Sequence, residues 1–171
     1  MKLLPLLAVG VCVLAVQLHA QTELIANDKL ADDGGAWALK AAADAAASMS
    51  VVEEDGEKVL RIEVQEPPQG KEIPPDVRVH RLFGEIGQGK NYELSFKAKA
   101  EQPAKIVAFI YPETEGARVL WRVENSVETE WKDFHFTFTG RDTADNCVLG
   151  FSNLGKMGNK YSFKDVVLTV Q

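Results

Sequence analysis

An apolar segment in the second half of the chain ends in a tyrosine that could contact a ligand. Residues 107–111 are apolar at every position, and Tyr111 is the last of them. Successive side chains of a strand point to opposite faces, so one face packs in a core and the other can line a groove. An aromatic ring offers an apolar surface to the carbon-hydrogen face of a sugar, with polar groups around it for the hydroxyls. Tyr111 is therefore a candidate sugar platform.

Two polar side chains upstream are candidates to surround such a platform. Arg78 and His80 alternate with Val77 and Val79, so the two polar residues share the face opposite the valines. They could donate hydrogen bonds to a ligand. An ordinary solvated strand face is the alternative interpretation of the same pattern.

Two more arginines and a tryptophan complete the set of binding candidates. We expect a strand over residues 118–123, in which Arg118 and Arg122 face away from Trp121, and Trp121 shares a face with two valines and belongs to the core. Trp37 is a candidate for the edge of the groove. A hydrophobic anchor is the equally open alternative for Trp37.

Catalytic signatures are mostly missing from the sequence. It has no glycine-flanked serine elbow and no phosphate-cradling loop, and the glycine-rich residues 84–89 connect two expected strands without opening a helix. Glu53 and Glu128 could form an acid-base pair, but nothing selects them over other carboxylates, and solvated acidic side chains are the preferred interpretation. The sequence therefore predicts that the protein is not an enzyme.

The first twenty residues are typical of an export signal. Lys2 provides the positive start, residues 3–16 are almost entirely apolar, and Ala20 offers a small residue for cleavage. We expect a secreted, soluble domain over residues 21–171, extracellular or periplasmic. Cleavage would leave Cys147 as the one cysteine, which we expect to be a small buried hydrophobe.

The charge of the chain limits its partners. The formal net charge is −6, and loss of Lys2 with the leader would make it −7, with acidic and basic residues interspersed. Nucleic acids and anionic membranes both require clustered Lys and Arg, so neither is expected to be a partner. We expect a monomer.

The periodicity of the sequence predicts an all-β sandwich. From residue 51 onward, at least eight short segments alternate apolar and polar residues, and each ends at Gly, Pro, Asn or Asp. The clearest covers residues 134–138, where three phenylalanines share one face. Residues 37–48 are ambiguous, because their alanines favour a helix while their odd and even positions alternate as in a strand. We prefer the extended interpretation.

Three phrases, in order, carry a family resemblance over nearly all of residues 21–171. Residues 89–100 (GKNYELSFKAKA), 129–134 (TEWKDF) and 165–168 (DVVL) resemble the turn-and-strand phrases of carbohydrate-binding modules of the family 4, 9 and 22 type. The resemblance implies a galactose-binding-domain-like jelly roll of two antiparallel sheets. It also implies a structural Ca²⁺ held by the Asp165 carboxylate and the backbone carbonyls of Lys29 and Gly56, although residues 27–34 depart from the family pattern.

The sequence and the resemblance together predict a non-catalytic module that holds a poly- or oligosaccharide in a sheet groove. The alternative is a structural or adhesive jelly roll that binds protein and has no sugar site. A small hydrolase or lyase that uses carboxylates is the third hypothesis.

Overall fold

The computed structural model describes residues 21–26, 30, 34–66, 77–113 and 118–171. The regular secondary structure of these residues consists of β-strands. They are Thr22–Ile25 (β1), Trp37–Lys40 (β2), Ala46–Glu54 (β3), Glu57–Glu66 (β4), Arg78–Ile86 (β5), Asn91–Ala100 (β6), Ala104–Pro112 (β7), Trp121–Val127 (β8), Lys132–Thr139 (β9), Ala144–Ser152 (β10) and Lys160–Val170 (β11). Within these ranges no helix is long and apolar enough to cross a membrane. The predicted leader, residues 1–20, lies outside the described residues.

The strands form two antiparallel sheets. The six-stranded sheet has the order β3-β4-β11-β6-β9, and β1 pairs with β11. The five-stranded sheet has the order β2-β5-β10-β7-β8. The two sheets bury their facing sides against each other, which is the sandwich that the periodicity predicted.

Period-two alternation decides which side chains enter the core. In β6 every second residue from Tyr92 to Ala100 is buried, and the residues between them are only partly buried. The paired β9 presents Phe134, Phe136 and Phe138 on the same side, and only Phe134 is fully buried because β9 is the edge of its sheet. Cys147 is buried as expected.

One aromatic side chain connects the two sheets. Phe151 of the five-stranded sheet stacks on Phe163 of the six-stranded sheet with ring centroids 4.4 Å apart, and it meets Phe96 edge-on at 4.8 Å. Trp37 stacks on the same ring at 5.9 Å. Offset and edge-to-face contacts of this kind add to the burial of the rings, so Phe151 lies at the centre of the core.

Residues 37–48, which the sequence left ambiguous, are extended. They form β2 and the start of β3, with a turn between them in which the Ala45 amide donates to the Ala42 carbonyl. The β3–β4 hairpin then closes at Asp55 and Gly56, which have φ values of 54° and 80°. Two successive residues with positive φ are what a tight two-residue hairpin turn requires, and an Asp-Gly pair supplies them at low cost.

Two expectations concern the glycine-rich turn and β8. Residues 84–89 link β5 to β6 without a helix, as expected. The strand expected over 118–123 is wrong in its bounds, because β8 begins at Trp121 and continues to Val127, where it pairs with Ala104. The hairpin register with β7, rather than local alternation, sets where β8 starts.

Phe151→Ala should lower the free energy of unfolding by about 3–5 kcal/mol, because it removes a fully buried ring that contacts both sheets. Met157→Ala is the control: its side chain is 66% exposed, and its effect should stay within about 0.5 kcal/mol. Chemical denaturation measures both. Similar losses in the two variants would contradict the central role of Phe151.

Candidate functional site

The outer face of the five-stranded sheet gathers the polar and aromatic side chains that point away from the core. Inward residues such as Val79, Leu149 and Ile110 are buried between the sheets. Their neighbours along each strand point outward by alternation. We call the surface formed by Arg78, His80, Phe109, Tyr111 and Arg122 the aromatic-basic face.

The floor of this face is a phenylalanine ring lying over a glycine. Phe109 pairs with Gly150 in the β7–β10 register, and a Cβ at Gly150 would be 2.4 Å from Phe109 Cζ and 2.9 Å from the Val79 carbonyl oxygen. Gly150 is therefore required for the ring to lie flat on β10. Phe109 is only 7% exposed, and the Tyr111 ring stacks on it with a centroid distance of 5.4 Å.

A guanidinium reaches the tyrosine from the far side of β10. Arg78 lies on β5, yet its Cζ is 5.7 Å from the centroid of the Tyr111 ring on β7. The registers place Gly150 midway along this diagonal, because it pairs with His80 on one side and with Phe109 on the other. The missing side chain at Gly150 leaves room for both the ring and the arginine.

His80 occupies the same row of the sheet as Gly150 and Phe109. Partial burial lowers the pKa of His80 below its ordinary value of 6.5; the cationic Arg78 and Lys40 lower it further, and the carboxylate of Glu113 opposes them. His80 is therefore neutral at pH 7. A neutral imidazole donates a hydrogen bond from one nitrogen and accepts one at the other.

Arg122 closes the row on the opposite side, since it pairs with Phe109 in the β7–β8 register. Arg78 and Arg122 thus belong to strands on either side of β7, which carries the aromatic pair. Next to Arg122 on the same face, Lys105 and Glu124 form an ion pair with 2.8 Å between Nζ and Oε1. This pair holds the pKa of the Glu124 carboxyl below its usual range.

The structure brings together four of the six predicted binding residues: Arg78, His80, Tyr111 and Arg122. Trp37 is not among them: it is 5% exposed and packs on Phe151 inside the sandwich, which is the hydrophobic anchor that the sequence left open and not the groove edge. Arg118 also lies apart from the others. It precedes β8, exposed, with its guanidinium 4.0 Å from the Asp142 carboxylate.

Phe109 was not singled out from the sequence, although the signal was present. It shares its parity with Tyr111 in a strand that is apolar on both faces. What the sequence could not show is that the facing residue on β10 is a glycine, which lets the ring lie flat.

The outer face of the six-stranded sheet differs because its cations are already paired. Lys97 contacts Asp165 at 3.0 Å, Lys99 contacts Glu54 at 2.8 Å, and Arg61 and Lys164 contact Glu54 and Glu57. Its one tryptophan, Trp131, lies under two ammonium groups. This face is internally neutralised.

A separate cleft of about 640 Å³ runs along the open edge of the sandwich between β8 and β9. Trp121 and Phe138 stack in its wall with centroids 4.9 Å apart, and Arg122 and Arg141 border it. Trp121 is on the core side of β8, as expected, and is partly buried because β8 is an edge strand.

The calcium site that the family resemblance implies stays a prediction, because Lys29, one of its ligands, lies outside the described residues. The Asp165 carboxylate is paired with the Lys97 ammonium, and Gly56 caps the β3–β4 turn. No cluster of three or more acidic, His or Cys side chains occurs in the part of the chain that the structure describes. Ca²⁺ prefers six to eight oxygens, several of them anionic, and a neighbouring ammonium opposes it.

Comparison with known proteins gives a family match and several structural matches. The model of a family described as "Carbohydrate binding domain" (families 4 and 9) matches residues 22–153. No individual curated protein matches the chain.

Three solved structures illustrate the structural likeness. One, described as "CBM4 structure and function", is 24% identical, covering 88% of this chain and 95% of that chain, with a TM-score of 0.65. The family 11 carbohydrate-binding module from Clostridium thermocellum, in complex with a β-1,3-1,4-mixed-linked tetrasaccharide, is 13% identical over 86% and 94%, with a TM-score of 0.63. The CBM22-1 xylan-binding domain from Paenibacillus barcinonensis Xyn10C is 10% identical over 88% and 96%, with a TM-score of 0.60. At these identities the likeness shows the fold, a jelly roll.

Acidification should destabilise the protein through His80. The unfolded chain binds a proton near pH 6.5, whereas the pKa of folded His80 is lower, so stability present at pH 7 is lost as pH falls below 6.5. His80→Gln should remove this part of the loss. Thermal melts at pH 7.5 and 5.0 measure it, with His135→Gln as the control, because His135 lies exposed beside Glu93 on the other sheet. Equal pH sensitivity in wild type and His80→Gln would refute the assignment.

Proposed function

Because the chain belongs to the carbohydrate-binding domains of families 4 and 9, we propose that its aromatic-basic face binds a poly- or oligosaccharide and holds it without cleaving it. Tyr111 provides the surface against which a sugar ring packs. His80 and the guanidiniums of Arg78 and Arg122 bind the hydroxyls around it.

The observation that carries this proposal is the stacked pair Phe109 and Tyr111, bordered on the same face by Arg78, His80 and Arg122. Arg78 Nε and His80 Nδ1 are buried and have no hydrogen-bond partner among the described residues. An unpaired buried polar atom costs free energy. Trp37 Nε1 in the core and Asn125 Nδ2 on β8 are unpaired in the same way, so the two atoms support a binding site only together with the stacked rings beside them.

The chemistry of the face suits a sugar. The partly exposed Tyr111 ring can pack on the carbon-hydrogen surface of a pyranose. A neutral His80 can exchange donor and acceptor roles with a hydroxyl, and arginine offers several donors in a fixed plane. Because β5 and β7 are interior strands of the sheet, Arg78, His80 and Tyr111 are anchored before the ligand arrives, which lowers the entropic cost of binding.

The carboxylates near the face support binding without hydrolysis. Glycoside hydrolysis uses two carboxyl groups, one of them with a raised pKa so that it can act as an acid. Glu124 has a lowered pKa because Lys105 binds it, which is unfavourable for a general acid. Glu53 and Glu128, which the sequence offered as a possible pair, are not on this face: Glu53 is on β3 of the six-stranded sheet, and Glu128 follows β8.

We propose in addition that the chain is exported after cleavage behind Ala20 and acts as a monomer. The support is the apolar run of the first twenty residues and the interspersed charges of the remainder. Both proposals rest on the sequence alone.

Tyr111→Ala should weaken polysaccharide binding about tenfold, corresponding to about 1.4 kcal/mol, because it removes the platform while leaving the core intact. Tyr111→Phe keeps the ring and should retain most of the affinity. Affinity electrophoresis of the purified protein against mixed-linkage β-glucan, xylan, cellulose and uronate polymers measures the effect, and thermal melts confirm that each variant is folded.

Trp131→Ala is the matched control, because it removes a partly exposed aromatic from the outer face of the other sheet. It should leave binding unchanged. If Trp131→Ala abolished binding and Tyr111→Ala did not, the site would lie on the six-stranded sheet. If the folded wild type bound no polysaccharide in the panel, the adhesive alternative would replace the proposed function.

A further inference from the structure

The two outer faces of the sandwich carry charge in different ways. On the six-stranded sheet, Lys97 and Lys99 each lie within 3.0 Å of a carboxylate. On the five-stranded sheet, neither Arg78, Arg122 nor Lys40 has a carboxylate within ion-pair distance among the described residues, and Lys105 is the cation that is paired there. Two carboxylates lie near these cations, Glu124 beside Lys105 and Arg122, and Glu113 near His80. Four cations against two carboxylates leave this face with a net positive charge among the described residues, on a chain whose formal net charge is −6.

The direction of the pKa shift of His80 agrees with an excess of positive charge on this face. Arg78 and Lys40 both lower the pKa of His80, and the one carboxylate that raises it, Glu113, does not cancel them. Because the protein is acidic overall, attraction by its net charge would draw cations, not anions. A cluster of unpaired cations beside an aromatic platform is thus a local property of this face.

We propose that the ligand of this face is an acidic glycan, a polysaccharide with uronic acid residues whose carboxylates are bound by Arg78 and Arg122. This inference rests on the proposed function and specifies its ligand class. It goes beyond the mixed-linked tetrasaccharide and the xylan with which the similar structures are described.

The placement of the two arginines fits a chain of sugars that crosses the sheet. Arg122 lies in register with Phe109 on β8, and Arg78 reaches Tyr111 from β5 on the other side. Three strand spacings separate β5 from β8, about 14 Å, so the backbones that carry the two arginines lie on opposite sides of the aromatic pair. A planar guanidinium binds a carboxylate through two parallel hydrogen bonds, which an ammonium group does not reproduce.

The decisive comparison changes the ligand by its carboxylates alone. Polygalacturonate, a mannuronate-guluronate polymer and a glucuronate-bearing xylan are each compared with their methyl-esterified or carboxyl-reduced forms, by calorimetry on the purified protein. At least one acid form should bind tenfold or more tightly than its neutralised form. The preference should shrink as NaCl rises from 20 to about 300 mM, because exposed charges are then screened.

Variants assign the preference to the two arginines. Arg78→Gln and Arg122→Gln should each weaken binding of the acid polymer about tenfold while changing binding of its neutral form less than twofold. Arg78→Lys should fall between wild type and Arg78→Gln, since it keeps the charge and loses the planar fork. Lys132→Gln, which removes one exposed charge from the edge of the other sheet, should change nothing.

The possible failures are distinguishable. Equal or tighter binding of the neutral polymers would overturn the acidic-ligand inference and leave the proposed function standing. A sulfate-ester galactan that binds tighter than every uronate polymer would overturn the carboxylate assignment. Acid-polymer binding that survives both Tyr111→Ala and Arg78→Gln would be diffuse attraction and would also overturn it. Absence of binding to acidic and neutral glycans alike would end the proposed function and this inference with it.

Discussion

The contact between Phe151 and Phe163 is the interaction on which both faces of the molecule depend. It joins the central strand of one sheet, β10, to the central strand of the other, β11, with the rings stacked at 4.4 Å. The residue before Phe151 is Gly150, which forms the floor under the Phe109 ring on the opposite side of β10. Successive residues of a strand face opposite sides of the sheet, so this dipeptide contributes to both surfaces of β10. Phe151 packs against the other sheet, and Gly150 leaves the space in which the Phe109 ring lies.

Two sheets of similar architecture thus have different outer surfaces. The outer side of the six-stranded sheet is covered with ion pairs, in which each cation already has a carboxylate partner. At the surface each such pair contributes little stability. The five-stranded sheet leaves guanidiniums and a neutral imidazole without carboxylate partners around stacked rings. The core makes both sheets possible, but the distribution of unpaired polar groups is what separates a structural surface from a binding surface.

Alternation in the sequence was enough to predict most of the strands and that Arg78 and His80 face away from the core valines, but in residues 107–111, apolar at every position, it did not show which face Tyr111 takes. It also held the information that Trp37 belongs to the core, because Trp37 shares its parity with Leu39. Alternation does not show which strands lie side by side: β10 lies between β5 and β7, although it is distant from both in sequence. The diagonal from Arg78 to Tyr111, the fit of Phe109 over Gly150 and the Lys97 partner of Asp165 all depend on those pairings.

The position of β11 has a consequence for how the chain reaches its native state. This strand is formed by Lys160–Val170, yet it lies in the middle of the six-stranded sheet and pairs with β1, β4 and β6. Folding dominated by such non-local pairings is slow, because the chain loses the entropy of loop closure before any stabilising contact forms. During synthesis the six-stranded sheet therefore lacks its central strand until residues 160–170 have left the ribosome, whereas every strand of the five-stranded sheet has been made by Ser152.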